Sequence, residues 1–256
     1  MKGLVLALAG MVASTAASAQ EAQEVRFISC PVFRDVDNGK RGGCWLSTDP
    51  ESGIRYDVTN NVYPPDWNHP VLVEGVANGE EQCGGVRLDP VRTSVLPGHC
   101  PRHMLPAEGY ELERPTLPVR NVRPTSEERT VPDWPLTDRT MSIFFEFDSD
   151  FITFYHSDSM VDQMVTWLRA VEPKRIVITG YAVTEPAEVT GQVIAEKPEM
   201  AQRRAQLMFE VLRDYGIDPD IIETHWAYNP VAVPDDMWAD GLAETSRRRV
   251  EISAEF

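Results

Sequence analysis

Beyond residue 19 the sequence has no long hydrophobic run, and it lacks the ten-residue alternating strands of an outer-membrane barrel. A bilayer-crossing helix needs about 20 consecutive apolar residues, and a lipid-facing barrel needs repeated alternation. Neither is expected in the mature chain. Basic residues are scarce, 24 Lys and Arg against 40 Asp and Glu, which gives a net charge of −16. Such a field repels nucleic acid and anionic lipid, so it reads as a solubility surface. Cysteine is limited to Cys30, Cys44, Cys83 and Cys100, with spacings of 14, 39 and 17 and no C-x-x-C pair. That spacing disfavours a zinc site. Two disulfides are expected, with three pairings open. A bridge that closes a loop of about 15 residues adds roughly 3 kcal/mol to a small domain. Catalytic signatures are also missing. There is no G-x-S-x-G, phosphate loop or H-E-x-x-H, and His69, His99, His103, His156 and His225 are scattered. His99 and His103 flank Cys100, but Pro101 prevents a helical pair. No enzyme activity, cofactor or metal is expected.

What is present begins with Met1–Ala19. Lys2, the apolar stretch Leu4–Val12 and the small residues Ala17-Ser18-Ala19 read as a cleaved signal peptide. No cysteine follows the apolar stretch closely, so lipid attachment is not expected. Loss of Lys2 leaves 23 basic against 40 acidic side chains, a net of −17. The length then accommodates two small domains and a linker.

Residues 24–110 read as a small all-β domain. Apolar runs at Val25–Phe33, Cys44-Trp45-Leu46, Ile54–Val58, Val71–Val76 and Val86–Leu96 are separated by turn signals such as Asp37-Asn38-Gly39. About five strands would form a barrel or sandwich, either OB-like or SH3-like. Residues 111–139 are proline-rich, with Pro115, Pro118, Pro124, Pro132 and Pro135. Proline fixes φ and withdraws a donor, so this stretch is either an extended linker or a strap packed on a domain. Trp134 favours some packing.

Residues 140–256 read as β-α-β-α-β-β, an α+β sandwich with two helices on one sheet face. Ile143–Phe147 is apolar on both faces, as an internal strand is. Val161, Met164, Val165, Leu168 and Val171 recur at helical spacing after a cap at Ser157 or Asp158, and Pro173 stops the helix. Arg175–Gly180 is a strand. Glu199–Tyr215 is a helix ended by Gly216. Ile221–Ala227 and Arg248–Ala254 complete the sheet.

Four short motifs sit in order on those elements. They are Phe147-Asp148-Ser149, Gly180 at the end of a strand, Met200-Ala201-Gln202-Arg203-Arg204-Ala205 on the second helix, and Arg247-Arg248-Arg249-Val250-Glu251-Ile252 at the end. Together they resemble the OmpA-like C-terminal domain family, over about Met141–Phe256. The resemblance implies a non-catalytic domain that binds the diaminopimelate of peptidoglycan stem peptides. It implies a cell-envelope protein of the periplasm, associated with the cell wall or outer membrane. The family's second strand leads to G-H-T-D, where Tyr181, Ala182 and Val183 stand here, and Arg247 replaces its Asn.

Diaminopimelate presents a carboxylate beside an ammonium. The resemblance assigns the carboxylate to Arg204, with Arg248 as a second basic position, because arginine grips carboxylates bidentately. Val183 cannot pair the ammonium. The lengthened connection to Arg204 carries Glu185, Glu188 and Glu196, and Glu185 is nearest in sequence to the vacant place. The plainer alternatives are a solvated Arg204, one of Arg248 and Arg249 at the surface, and a turn role for Asp148. With Val183 in the acid's place, the competing function is a protein-interaction module that has lost wall binding. A further envelope protein is a candidate partner for the β domain.

Overall fold

A computed structural model describes residues 23–36, 42–61, 64–110, 131–135, 139–152, 156–236 and 239–256. The expected signal peptide and most of the proline-rich stretch lie outside the described residues. No described helix is long and apolar enough to cross a membrane.

The first domain is one seven-stranded sheet. Its strands are β1 (Gln23–Ser29), β2 (Val32–Asp35), β3 (Gly43–Thr48), β4 (Arg55–Asp57), β5 (Val71–Gln82), β6 (Gly85–Val95) and β7 (Met104–Leu105), in the order β1-β5-β6-β4-β3-β2-β7. The single strand expected over Val25–Phe33 is split at Cys30-Pro31, where proline has no N–H for the ladder. The sheet is rolled. Ser29 ends the edge strand β1, yet its Oγ lies 2.6 Å from Ser47 Oγ on β3. The fold encloses Phe27, Tyr56, Val58, Val71, Val73 and Leu88. β5 and β6 are joined by Cys83-Gly84, with φ of 53° and 77°, as a two-residue hairpin turn requires. That turn is bonded to β3 through Cys44–Cys83, and Cys30–Cys100 makes the second disulfide.

The second domain runs β8 (Arg139–Phe144), α1 (His156–Val171), β9 (Arg175–Ala182), β10 (Ala187–Val189), β11 (Gln192–Ile194), α2 (Glu199–Asp214), β12 (Ile222–Tyr228), α3 (Ala243–Ser246) and β13 (Arg249–Glu255). The main sheet has the order β12-β9-β13-β8; β12 lies parallel to β9, and β13 is antiparallel to both its neighbours. This is the expected β-α-β-α-β-β order with two additions. The long connection after β9 folds as the β10–β11 hairpin, and α3 precedes the last strand. The apolar stripes of α1 and α2 close one sheet face, with Trp167, Met164, Leu168, Met208 and Leu212 against Ile176, Ile178, Val250 and Ile252.

α2 crosses β9 at Gly180, where an added Cβ would lie 2.0 Å from the Ala201 carbonyl oxygen. The glycine is therefore required by close backbone approach. Trp134 packs on Trp167 with ring centroids 5.7 Å apart, so residues 131–135 are strapped onto the second domain.

β8 ends at Phe144, short of the strand expected over Ile143–Phe147. Phe145 stays in the second domain's core, but Phe147 packs with Ile28, Leu72 and Leu96 of the first domain. The two-faced apolar pattern thus reflects a contact between domains rather than an internal strand. Two hydrogen bonds cross the same seam. Phe147 N–H donates to Ser94 Oγ (2.8 Å), and Ile28 N–H donates to Thr190 Oγ1 (3.0 Å).

Candidate functional site at the domain seam

Arg204 projects from the first half of α2 into the second domain and is fully buried. A guanidinium has five N–H donors, and all five are spent inside this domain. Nε donates to Ser149 O (2.9 Å), Nη1 to Tyr181 O (2.7 Å) and Glu196 Oε2 (3.2 Å), and Nη2 to Glu146 O (3.2 Å) and Glu196 Oε1 (2.5 Å). Glu196, equally buried, also accepts from the N–H groups of Asp148 (2.9 Å) and Val183 (2.7 Å).

The acid that meets Arg204 is therefore Glu196, not Glu185. The β10–β11 hairpin brings the chain back so that Glu196 reaches under Val183, and its own N–H donates to Val183 O (2.8 Å). Glu185 lies outside this pair. Its side chain is 67 % exposed, and its Oε2 is 3.5 Å from Arg247 Nη2. Asp148 has φ of 50°, a conformation that Asp tolerates better than most residues. It accepts from Lys197 N (3.1 Å) and Lys197 Nζ (2.5 Å), which fixes the approach to α2.

Arg248 immediately precedes β13, and its partner comes from the other domain. Nη1 and Nη2 hold Glu74 Oε1 and Oε2 at 3.1 and 2.5 Å, while Nε donates to Phe145 O (3.3 Å). Glu74 sits on β5, directly opposite Arg26 of β1, which also donates to it (3.1 Å). Arg92 of β6 reaches the other way and pairs with Glu146 (3.0 Å) and Asp240 of the second domain. Arg249 is buried as well, on the opposite side of the strand. It pairs with Glu251 (2.8 Å) and stacks over the Tyr181 ring (5.0 Å). The expectation that one of these two arginines lies at the surface is not met, because Arg248 is satisfied by Glu74, Phe145 O and Thr245 Oγ1, and Arg249 by Glu251, Val231 O and Ser246 O.

Burial raises a carboxyl's pKa, but at Glu74 the guanidinium of Arg248, with Arg26 beside it, outweighs burial. These cations hold Glu74 below the usual value of 4.5. A carboxyl depressed in the folded state stabilises fully above its ordinary pKa and loses that contribution as pH falls through the depressed value. Glu146 opposes this, since burial raises it above 4.5 despite Arg92. Its folded form binds protons more readily, so acidification relieves a cost there. Glu74's contribution is lost as pH drops below its ordinary value of 4.5, so acidification should lower the urea midpoint less in Glu74→Gln than in wild type. An equal fall in both proteins would contradict a paired Glu74.

Beside Arg248 the seam opens into a cavity of about 290 Å³, lined by Arg26, Phe147, Val183, Glu185, Ile194, Glu244, Arg247 and Arg248 among others. Cations and carboxylates alternate on its wall. Arg247 Nη1 is 3.1 Å from Glu244 Oε2, and Glu244 is 3.9 Å from Arg26 Nη1. The structure thus brings Arg248 and Glu185 to one cavity and leaves Arg204 outside it. Among the described residues one group has metal-ligand geometry, Cys44, Asp57 and Cys83. Its two cysteines are bonded to each other, so they offer no thiolate.

No sequence motif marks Glu74, Arg92 or Asp240. A signal for Glu74 existed, since it interrupts the otherwise apolar Val71-Leu72-Val73-Glu74-Gly75-Val76. A charge in such a strand needs a partner.

No protein-family model and no curated protein matches the sequence. Solved structures similar to part of it include the OmpA-like domain of FopA1 from Francisella tularensis, at 17% identity and a TM-score of 0.35, covering 45% of this chain and 70% of that one. The cell wall anchor of the T6SS from Pseudomonas aeruginosa is similar at 22% identity and a TM-score of 0.35, covering 49% and 86%. The periplasmic domain of Helicobacter pylori MotB is similar at 21% identity and a TM-score of 0.32, covering 48% and 76%.

Proposed function

We propose that this chain is a non-catalytic, exported envelope protein that associates with peptidoglycan through residues 140–256, with diaminopimelate of the stem peptide as the group recognised. The observation that carries the reading is the pairing of chemistries at the seam cavity. Arg248 already holds a carboxylate bidentately at its edge, and Glu185 lies on the same wall. A zwitterion would place its carboxylate on the Arg248 Nη groups in place of Glu74 and its ammonium toward Glu185. Arg204 takes no direct part, since its donors are spent on Glu196 and backbone carbonyls of its own domain, which stay in place when the seam opens. The signal-like segment Met1–Ala19 supports export, and the OmpA-like motifs support the envelope and the periplasmic side of the wall.

The test is co-sedimentation of the mature protein with purified wall sacculi. The wild-type chain is expected in the pellet. Loss of one charge-assisted contact is worth roughly 1.5–3 kcal/mol, so Glu185→Ala should bind about ten- to a hundredfold more weakly. Protein left in the supernatant would refute wall binding. A Glu185→Ala protein that pellets like wild type would refute the assigned ammonium partner.

A second reading, an interaction module without wall binding, is favoured by Glu196 filling the space beside Val183. It predicts that sacculi leave the protein in solution.

A further inference from the structure

The Arg204–Glu196 pair is contained in one domain, whereas Arg248–Glu74 joins two. The two sides of the second pair have unequal alternatives. If the domains part, Glu74 keeps Arg26 across the β1–β5 ladder, within its own domain. Arg248 keeps Phe145 O through Nε and Thr245 Oγ1 through Nη2, and frees the Nη N–H groups that face Glu74. Neither charge is left without any partner, so separation avoids the full penalty of breaking a buried pair. The rest of the seam mixes apolar and polar contacts. It holds the apolar cluster around Phe147, two side chain–backbone hydrogen bonds and the Arg92 pairs. Relative motion is the default between domains of one chain unless their interface is large and hydrophobic. Residues 111–130 join the two halves covalently, so parted domains stay tethered.

We propose that Glu74 is a tethered stand-in for a ligand carboxylate: the β domain covers the arginine face of the OmpA-like domain, and a free carboxylate reaches Arg248 only when the domains part. The competition with wall peptide rests on the proposed wall binding; the lock itself does not. A tethered group competes at an effective concentration in the millimolar range. An outside carboxylate of equal intrinsic affinity must exceed that, unless the seam is weakened first. The β domain then serves as a regulator of access, and its interaction partner is the other half of its own chain.

The test uses the full-length folded protein with a protease site placed within residues 111–130. Both disulfides lie inside the first domain, so after cutting only the seam joins the halves. Wild-type halves are expected to co-elute at micromolar concentration. Glu74→Gln keeps the side chain's shape and removes its charge. Its halves should separate at a concentration at least tenfold higher than wild-type halves do. Arg92→Gln, which alters only pairs across the seam, should act in the same direction and serves as a second variant should Glu74→Gln fold poorly. Wild-type halves that part freely, or Glu74→Gln halves that hold as tightly, would overturn the lock.

In a second arm, uncut proteins are mixed with sacculi, and Glu74→Gln is expected to bind at least tenfold better than wild type. Equal capture of both would overturn the competition. If neither is captured while the cut halves behave as stated, the lock stands and the wall-binding reading falls.

Discussion

Glu196→Ala is expected to destabilise the second domain by about 3–5 kcal/mol, the range for removing one partner of a buried ion pair. Arg204 would remain fully buried with two donors unmatched, and the N–H groups of Asp148 and Val183 would lose their acceptor. Typical domain stability is about 5–15 kcal/mol, so much of the folded margin disappears. Urea denaturation followed by far-ultraviolet dichroism measures it. Glu185→Ala is the matched control, because Glu185 is mostly exposed and exposed substitutions usually fall within about 0.5 kcal/mol. Equal effects of the two changes would mean that Arg204 is not locked by Glu196. Glu196→Gln should be intermediate, because it keeps an oxygen and loses the charge.

Gly180→Val is expected to cost about 3 kcal/mol or more, at the upper end of overpacking effects. Even a single methyl would meet backbone atoms, Ala201 O at 2.0 Å and Ala205 N at 2.9 Å. Backbone within a helix cannot swing aside as a side-chain tip can, so α2 itself must move off β9. Because α2 carries Arg204, the shift would also strain the Arg204–Glu196 pair. Thermal unfolding of the full chain checks this, with Gly216→Val as a contrast. An added Cβ at Gly216 meets nothing within 4 Å, and the change there is limited to the strain of its φ of 86°. A Gly180→Val protein as stable as wild type would contradict the close crossing.

The second domain was legible where one residue type had one job. Helical spacing from Val161 to Val171, the stop at Pro173, Gly216 past the second helix and the alternation of the last strand all marked elements that exist. The cysteines were legible as disulfides for the same reason, although spacing left the pairing open. Phe147 does not extend the strand, because its apolar character serves a contact between domains, which a local pattern does not encode. Glu185 and Glu196 were indistinguishable by composition. Which carboxylate reaches Arg204 depends on the β10–β11 hairpin doubling the chain back, and sequence distance points to the wrong one. The seam was illegible for a deeper reason. Glu74 and Arg248 are 174 residues apart, and nothing in either segment specifies the other beyond the oddity of a charge within an apolar strand. Arg204 has the residue type of a ligand-gripping arginine and a structural environment. Its identity alone does not separate the two; the count of its satisfied donors does.

The claim on which the functional account turns is that the two domains meet over Arg248 in solution. Residue-resolved hydrogen exchange reads it directly at two amides, Ile28 N–H on Thr190 Oγ1 and Phe147 N–H on Ser94 Oγ. Both bonds exist only when the seam is closed. In the wild-type protein both amides should exchange slowly. In Glu74→Gln both should speed up together by at least tenfold, while amides in β9 and β13 keep their protection. Fast exchange at both positions in the wild-type protein would contradict the closed seam, and with it the role assigned to Glu74.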